Sequence, residues 1–385
     1  MDLAALRDSI ALTREQIYMN TGWSGPSPMP VVERIHEALT LEATSGPASL
    51  EGLALGRRAN EEAQAAVAKL LNAESQEIYL THGTTEGVHI VLHGFPWSAG
   101  DELVTCDLEH PAIATPVNVL EERRGIAVKR VGIAPNASSG EMLEAIASAL
   151  TPKTKIVALS HIQYTCGLRM PIESITRMAH QAGALVLVDG AQTGGAINID
   201  VKAMDVDFYA ISGQKWLLGP QATGAVFLRE SNWRAIDPLF TTHALADARA
   251  QMAEGFYGSP LQRFRVTSQS PSLLAGFAAA INIIDSVGPA TIEAHSLRLA
   301  KRLKDAVGGL KRAELTCPED EDVSCGLVSI AIEGKTPTEV VQHLWENHRI
   351  AARAVNHPPA VRFSLAGFNT EAEVDKVAEA LTGLV

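Results

Sequence analysis

Short apolar runs alternate with amphipathic stretches through the middle of the chain. Residues 77–80, 102–106, 128–131, 155–160, 184–188, 208–211 and 225–228 are compact and mostly rich in Val, Ile and Leu. That is the pattern of buried strands in a mainly parallel sheet. Between them, 84–93, 112–124, 141–150 and 172–182 carry helical spacing. The alternation predicts an α/β domain with a seven-stranded sheet and helices on both faces. After about residue 255 the texture changes. Residues 271–287 and 290–310 read as long helices. A run at 326–332, a helix near 338–347, a short strand near 350–353, a run at 361–365 and a terminal helix from 370 predict a smaller α+β domain. Residues 256–270, rich in Gly, Ser, Pro and aromatic side chains, read as a connecting loop. The predicted division is an N-terminal segment, 1–20, packing with the small domain; a large domain, 21–255; and loop, helices and small C-terminal domain, 256–385.

A length of 385 residues exceeds one ordinary core, which agrees with two domains. With 46% hydrophobic and 20% charged residues the chain is not globally disordered. A net charge of -12 argues against a nucleic-acid partner, which needs a basic surface. No basic leader with an apolar core follows Met1 and no run of 18 apolar residues exists, so neither a secretory signal nor a membrane span is expected. Four cysteines (Cys106, Cys166, Cys317, Cys325) lack CxxC spacing and suit a reducing cytoplasm.

The candidate chemistry sits at strand ends. After 77–80 comes His82-Gly83-Thr84-Thr85-Glu86-Gly87 at a helix start, where free backbone N–H groups favour a phosphate. The plainer alternative is that Thr84 only caps the helix. Glu109-His110-Pro111 follows another strand. An imidazole there can stack on a flat ring or merely open a helix. Asp189, in Asp189-Gly190-Ala191-Gln192, ends a buried strand where parallel sheets bind ligands. A carboxylate there can keep a pyridine nitrogen protonated or simply cap the next helix. Lys215, in Ser212-Gly213-Gln214-Lys215-Trp216, follows a buried strand. Loss of solvation there lowers an amine pKa toward nucleophilic use, although most lysines lie at the surface. Arg362 and Arg353, in the C-terminal domain, can grip carboxylates. The helical pair His89 and His93 has zinc-ligand spacing but no third ligand or HExxH pattern.

Taken in order, these motifs resemble fold type I pyridoxal 5'-phosphate (PLP) enzymes of the class V aminotransferase superfamily. The resemblance is to the branch of cysteine desulfurases, cystine C–S lyases and isopenicillin N epimerase-like proteins. It runs from Tyr18-Met19-Asn20 to about Val374 and implies a large PLP-binding domain with a smaller α+β partner. By resemblance, Thr84, Thr85 and Ser212 hold the phosphate, with Gln214 as a further donor. His110 stacks over the pyridine ring, Asp189 pairs with its nitrogen, and Gln192 lies by its phenolic oxygen. Lys215 forms the Schiff base and moves protons, and Arg362 binds the substrate α-carboxylate. The segment from Arg263 to Ser268 resembles one that enters a neighbouring subunit's site, which implies a homodimer with Ser268 on the partner's phosphate.

Three departures matter. Gln214 stands where this branch usually has His, and an amide brings no titratable charge. Thr165 is expected at an Asn position beside the cofactor oxygen. The stretch 354–360 reads as a short loop without the mobile cysteine that a desulfurase needs, which disfavours a persulfide relay. What remains is chemistry by PLP and Lys215. The first expectation is a β-eliminating C–S lyase acting on cystine or another S-substituted L-cysteine, giving aminoacrylate and then pyruvate and ammonia. Arg353 with Arg362 suits a second carboxylate, and Trp23, Tyr164 and Tyr257 are candidates to shape the pocket. The alternatives are an epimerase or aminotransferase and, in a different class, a cofactor-binding protein without turnover.

Overall fold

The computed structural model describes residues 1–240 and 260–384. The expected boundary at 255 and Tyr257 lie outside the described residues. The first strands are β1 (Ile17–Tyr18), β2 (Ile78–Thr81), β3 (Glu102–Cys106), β4 (Ala127–Val131), β5 (Thr154–Ser160), β6 (Leu185–Asp189), β7 (Phe208–Ser212) and β8 (Gly224–Leu228). All but β1 form one seven-stranded sheet in the order β2-β8-β7-β6-β5-β3-β4. Only β8 runs antiparallel to its neighbours β2 and β7. The sheet is therefore mainly parallel, as the apolar runs predict. β7 and β8 are buried at every position, which explains their lack of polar alternation.

Separate apolar cores fill the two faces of this sheet. On one, Gly87 lets the helix Thr84–Gly94 lie close on the strands. A Cβ there would come within 2.9 Å of Val226 and 3.0 Å of Ala210. The helix Ser139–Ala149 begins before the apolar pattern does, because Ser138 and Glu141 form a reciprocal capping box. Two helices go beyond the sequence-based expectation: Met29–Ser45 and the alanine-rich Leu50–Leu71. Both pack against the helix Pro271–Val287.

The C-terminal part adds β9 (Ala313–Leu315), β10 (Leu327–Ile332), β11 (Ile350–Ala351), β12 (Arg353–Asn356) and β13 (Pro359–Ser364). Four of these make an antiparallel sheet, β12-β13-β10-β9, while β11 pairs with β1. The N-terminal segment thus joins the small sheet's side through β1 and the buried Met19. The expected strand near 350–353 is two strands with different partners. The expected loop at 354–360 is a tight hairpin with Asn356 opposite Pro359. Strand pairing across a two-residue turn overrides the turn-like composition of that stretch. No single described helix is long and apolar enough to cross a membrane.

Candidate active site

β2, β3, β5, β6 and β7 run in one direction, so their carboxyl ends share one edge of the sheet, where α/β sheets bind ligands. A cavity of about 550 Å³ opens there, closed from the other side by Arg353 and Arg362 of the small sheet.

One end of the cavity is built for an anion. Gly83, not Thr84, is the N-cap of the helix Thr84–Gly94, and no side chain caps that terminus. The plain capping reading of Thr84 therefore fails. Its hydroxyl is buried without a hydrogen-bond partner, as are the Ser212 hydroxyl and Gln214 Oε1. Thr85 is exposed at the same rim. Buried polar groups are normally satisfied. The two hydroxyls converge on a helix N-terminus, where a phosphate supplies acceptors and the dipole favours its charge; Gln214, whose Oε1 is itself an acceptor, meets a phosphate only with its amide turned to present N–H.

The middle of the cavity fits a flat, cationic ring. Asp189 is 3% exposed, and its Oδ1 accepts the Ala191 N–H at 2.8 Å. Burial pushes its carboxyl up, while Lys215 and the Ala191 N–H hold it down. His110 opens the helix Pro111–Arg124, and its Nδ1 accepts the Ala112 N–H at 3.0 Å. Capping and cavity lining thus coexist in one residue. Burial, then Lys215, Arg353 and Arg362, draw its pKa down to about 4, so the ring is neutral at physiological pH. Tyr164 meets it edge-on, with ring centroids 4.8 Å apart.

Lys215 reaches the cavity from the turn after β7. Burial draws its amine down to about 8; Asp189 opposes this and the two arginines add to it. A useful fraction is then the free amine near neutral pH, the form that attacks an aldehyde. Gln192 sits against the strap at 20–25: its Nε2 donates to Gly22 O at 2.9 Å and its Oε1 accepts from Trp216 Nε1 at 2.8 Å. One amide N–H of Gln192 remains for a ligand.

Arg362 and Arg353 stand directly opposite each other in the β12–β13 ladder, so both point to one face. Arg362 is fully buried, and Nη1 donates to Tyr164 O. Its Nε and Nη2 have no partner, and burial, reinforced by Arg353, pulls its pKa down to about 9. Arg353 lies over the Trp23 ring at 4.5 Å. Two unsatisfied N–H groups on a buried guanidinium make a carboxylate fork.

Two expected residues are not brought to this cavity. Thr165 is fully buried and its carbonyl accepts from Ser329 Oγ, while its neighbour Tyr164 lines the cavity instead. Adjacent residues in this turn face opposite ways, so a one-residue difference exchanges wall for core. Ser268 is exposed and does not line its own chain's cavity. His89 and His93 stack on each other at 5.0 Å, and no group of three metal-ligating side chains exists among the described residues.

Sequence patterns alone do not single out Gly22. Its N–H donates to Ser364 Oγ at 3.0 Å. A Cβ would lie 2.9 Å from Gln192 Oε1 and Ser364 Oγ and 3.0 Å from Arg362 Nη2. The only sequence signal is the pair of glycines in Thr21-Gly22-Trp23-Ser24-Gly25. Gly22→Ala should displace the guanidinium and raise KM about 10-fold, with kcat changed less. An unaltered KM would show that Arg362 tolerates the intrusion.

These residues fit PLP: orphaned hydroxyls for the phosphate, a carboxylate at the ring edge and a neutralisable lysine. Comparisons with known proteins agree. The class-V aminotransferase family model matches residues 17–377. A probable cysteine desulfurase of Methanothermobacter thermautotrophicus is 29% identical over 397 residues, 98% of this chain and 96% of the relative. A cysteine desulfurase of an Enterobacter species is 30% identical, covering 84% and 81%. Among solved structures, the cystine C–S lyase C-DES in complex with its product cysteine persulfide superposes with a TM-score of 0.87 at 26% identity, over 97% of this chain and 98% of that one. A C-DES mutant with glycine covalently linked to its PLP cofactor gives a TM-score of 0.88 at 25% identity, over 98% of both. With ordered motifs, sheet topology and a match along nearly its whole length in accord, the chain belongs to the class V aminotransferase family of fold type I, PLP-dependent enzymes.

Proposed function

We propose that this enzyme is a β-eliminating C–S lyase that cleaves cystine or another S-substituted L-cysteine to pyruvate, ammonia and a sulfur-bearing leaving group. The observation that carries this reading is a paired-arginine cavity without a reachable thiol. All four cysteines are free and buried. Burial pushes the Cys166 thiol up to about 12 and the Cys325 thiol up to about 11, so neither is a ready nucleophile. The hairpin at β12–β13 carries no cysteine and leaves no long loop to swing one inward.

PLP bound here supplies an electron sink for the charge left when the substrate loses its Cα proton. Asp189 would hold the protonated ring nitrogen, and His110, being neutral, adds no charge to the cavity wall. The Arg362 fork fixes the α-carboxylate. Lys215 Nζ takes the Cα proton. The bond to sulfur then breaks on Cβ, most readily when the departing sulfur anion has a low pKa. The persulfide anion that leaves from cystine meets that condition better than the hydrosulfide that leaves from free cysteine. Arg353 suits the distal carboxylate of cystine. Arg353→Ala should therefore slow cystine more than a neutral S-alkylcysteine, and equal slowing would remove that assignment.

A substrate panel on purified protein tests the whole reading. Cystine should yield pyruvate and ammonia faster than cysteine or a branched amino acid does. Formation of D-amino acids would instead identify an epimerase, and keto acids that keep the substrate's side chain an aminotransferase. A homodimer belongs to the same proposal. Met29, Val32 and Leu39 lie exposed on one face of their helix and Leu50 and Leu53 are exposed on the next helix; exposed apolar side chains in such number suit a partner surface. Ser268 is free to reach the neighbour's phosphate site. Sedimentation as a monomer at micromolar concentration would rule this assembly out. Four unpaired thiols fit a reducing cytoplasm.

A further inference from the structure

Beneath the ring site lies a second buried carboxyl group for which the proposed chemistry has no use. Glu109 is 8% exposed and makes no ion pair among the described residues. Its Oε1 accepts the Ser160 N–H at 2.8 Å, Gln163 Nε2 at 3.0 Å and Cys106 Sγ at 3.3 Å. Its Oε2 meets Ser160 Oγ at 2.6 Å. These bonds tie the turn after β3 to the turn after β5. His110 rides on the first and Tyr164 on the second, and their rings meet edge to face. Ser160 is also the register partner of Asp189 across β5 and β6, so the network abuts the strand that carries the ring-edge carboxylate.

The two oxygens of Glu109 differ in a useful way. Oε1 is surrounded by donors and stays unprotonated. Oε2 faces a hydroxyl, which donates or accepts equally well. The carboxyl group can gain or lose a proton at Oε2 when the Ser160 O–H rotates, with no other rearrangement.

We propose that Glu109 is a positioning residue with an exchangeable proton. It locks His110 and Tyr164 in either state, and loss of its proton places a second negative charge within reach of Asp189. The surroundings put this change near neutral pH. Burial pushes Glu109 up to about 7; donors from Ser160 and Gln163 oppose this, and Asp189 adds to it. The other charged side chains that line the ring site are the cations Lys215, Arg353 and Arg362 and the rim carboxylate Glu86, which meets His82 Nδ1 at 2.7 Å. Cys106 keeps its proton through burial and the nearby Glu109 charge. His161, on the same turn as Ser160, is held neutral by burial, with a pKa of about 3. The functional consequence rests on the PLP reading, but the proton assignment does not.

Glu109→Gln tests both. Its amide oxygen can replace Oε1, and its N–H₂ can donate to the Ser160 hydroxyl, mimicking the protonated state. On protein stripped of PLP, melting temperature is followed against pH for wild type and variant. Folded Glu109 keeps a proton that the unfolded chain releases, so wild-type stability should fall, relative to the variant, from about pH 5 to about pH 7 and then level off. A melting difference independent of pH overturns the proton assignment. On PLP-loaded protein, the pH midpoint of visible absorbance should drop by about 0.5–1 unit in Glu109→Gln, because a negative charge that favours nearby protons is gone. An unchanged midpoint overturns the link to the ring site. Glu109→Ala, which cuts the tie between the turns, should weaken PLP binding about 10-fold, and Glu109→Gln should restore it. Wild-type affinity in the alanine variant overturns the positioning role. Since the melting series needs no PLP, a failure of the PLP reading remains distinguishable from a failure of this one.

Discussion

Lys215→Ala should reduce turnover of cystine by about 10⁴-fold or more, because it removes both the proposed covalent attachment point and the proposed proton carrier in one change. Among the described residues, no other lysine lines the cavity. The buried environment that draws Lys215 down to about 8 is specific to this position. Borohydride reduction of wild-type protein loaded with PLP should fix the cofactor on the peptide containing residue 215, and the alanine variant should lose that label. Lys215→Arg gives a second arm, since it keeps a positive charge near Asp189 without a usable nucleophile. It should be equally inactive. Retention of more than about a tenth of wild-type activity in either variant, or a reduced adduct on a different lysine, would remove Lys215 from its proposed role.

The second large effect is expected at Arg362. Arg362→Met should lower kcat/KM for α-amino acids about 10²–10³-fold, on the order of 3–4 kcal/mol, as expected when a buried, charge-assisted carboxylate grip is cut. The same variant should raise the melting temperature of the substrate-free protein. A fully buried guanidinium with two unsatisfied N–H positions is a cost to the empty fold, seen in the pull of its pKa to about 9. A methionine of similar length relieves that cost without opening a cavity. The pairing of lost binding with gained stability separates a ligand-gripping arginine from a structural one. A variant that loses stability and binding together would mark Arg362 as part of the core.

Most of the large domain's frame was legible in the amino-acid order. Buried parallel strands demand uninterrupted apolar runs, and strand-end residues are exposed to the ligand by topology. Asp189, His110 and Lys215 are therefore candidates from their places at or just beyond the ends of those runs, their roles implied only by the family resemblance, and all three line one cavity. The helices Met29–Ser45 and Leu50–Leu71 lie beyond the elements that the pattern predicts, because their small, mixed side chains gain order from packing against a distant segment, Pro271–Val287.

The sequence by itself determined which kinds of group stand at the ends of the strands and in what order, and hence the chemistry open to this protein. The tertiary structure alone decided which way neighbouring side chains face and how close distant segments come. It turned Tyr164 rather than Thr165 to the cavity, folded 354–360 into a hairpin that sets Arg353 opposite Arg362, and laid Gly22 against residues more than 150 positions away. The reason is that strand propensity and periodicity are local properties of the chain. Register and close approach, by contrast, arise only when surfaces remote in sequence compete for the same space.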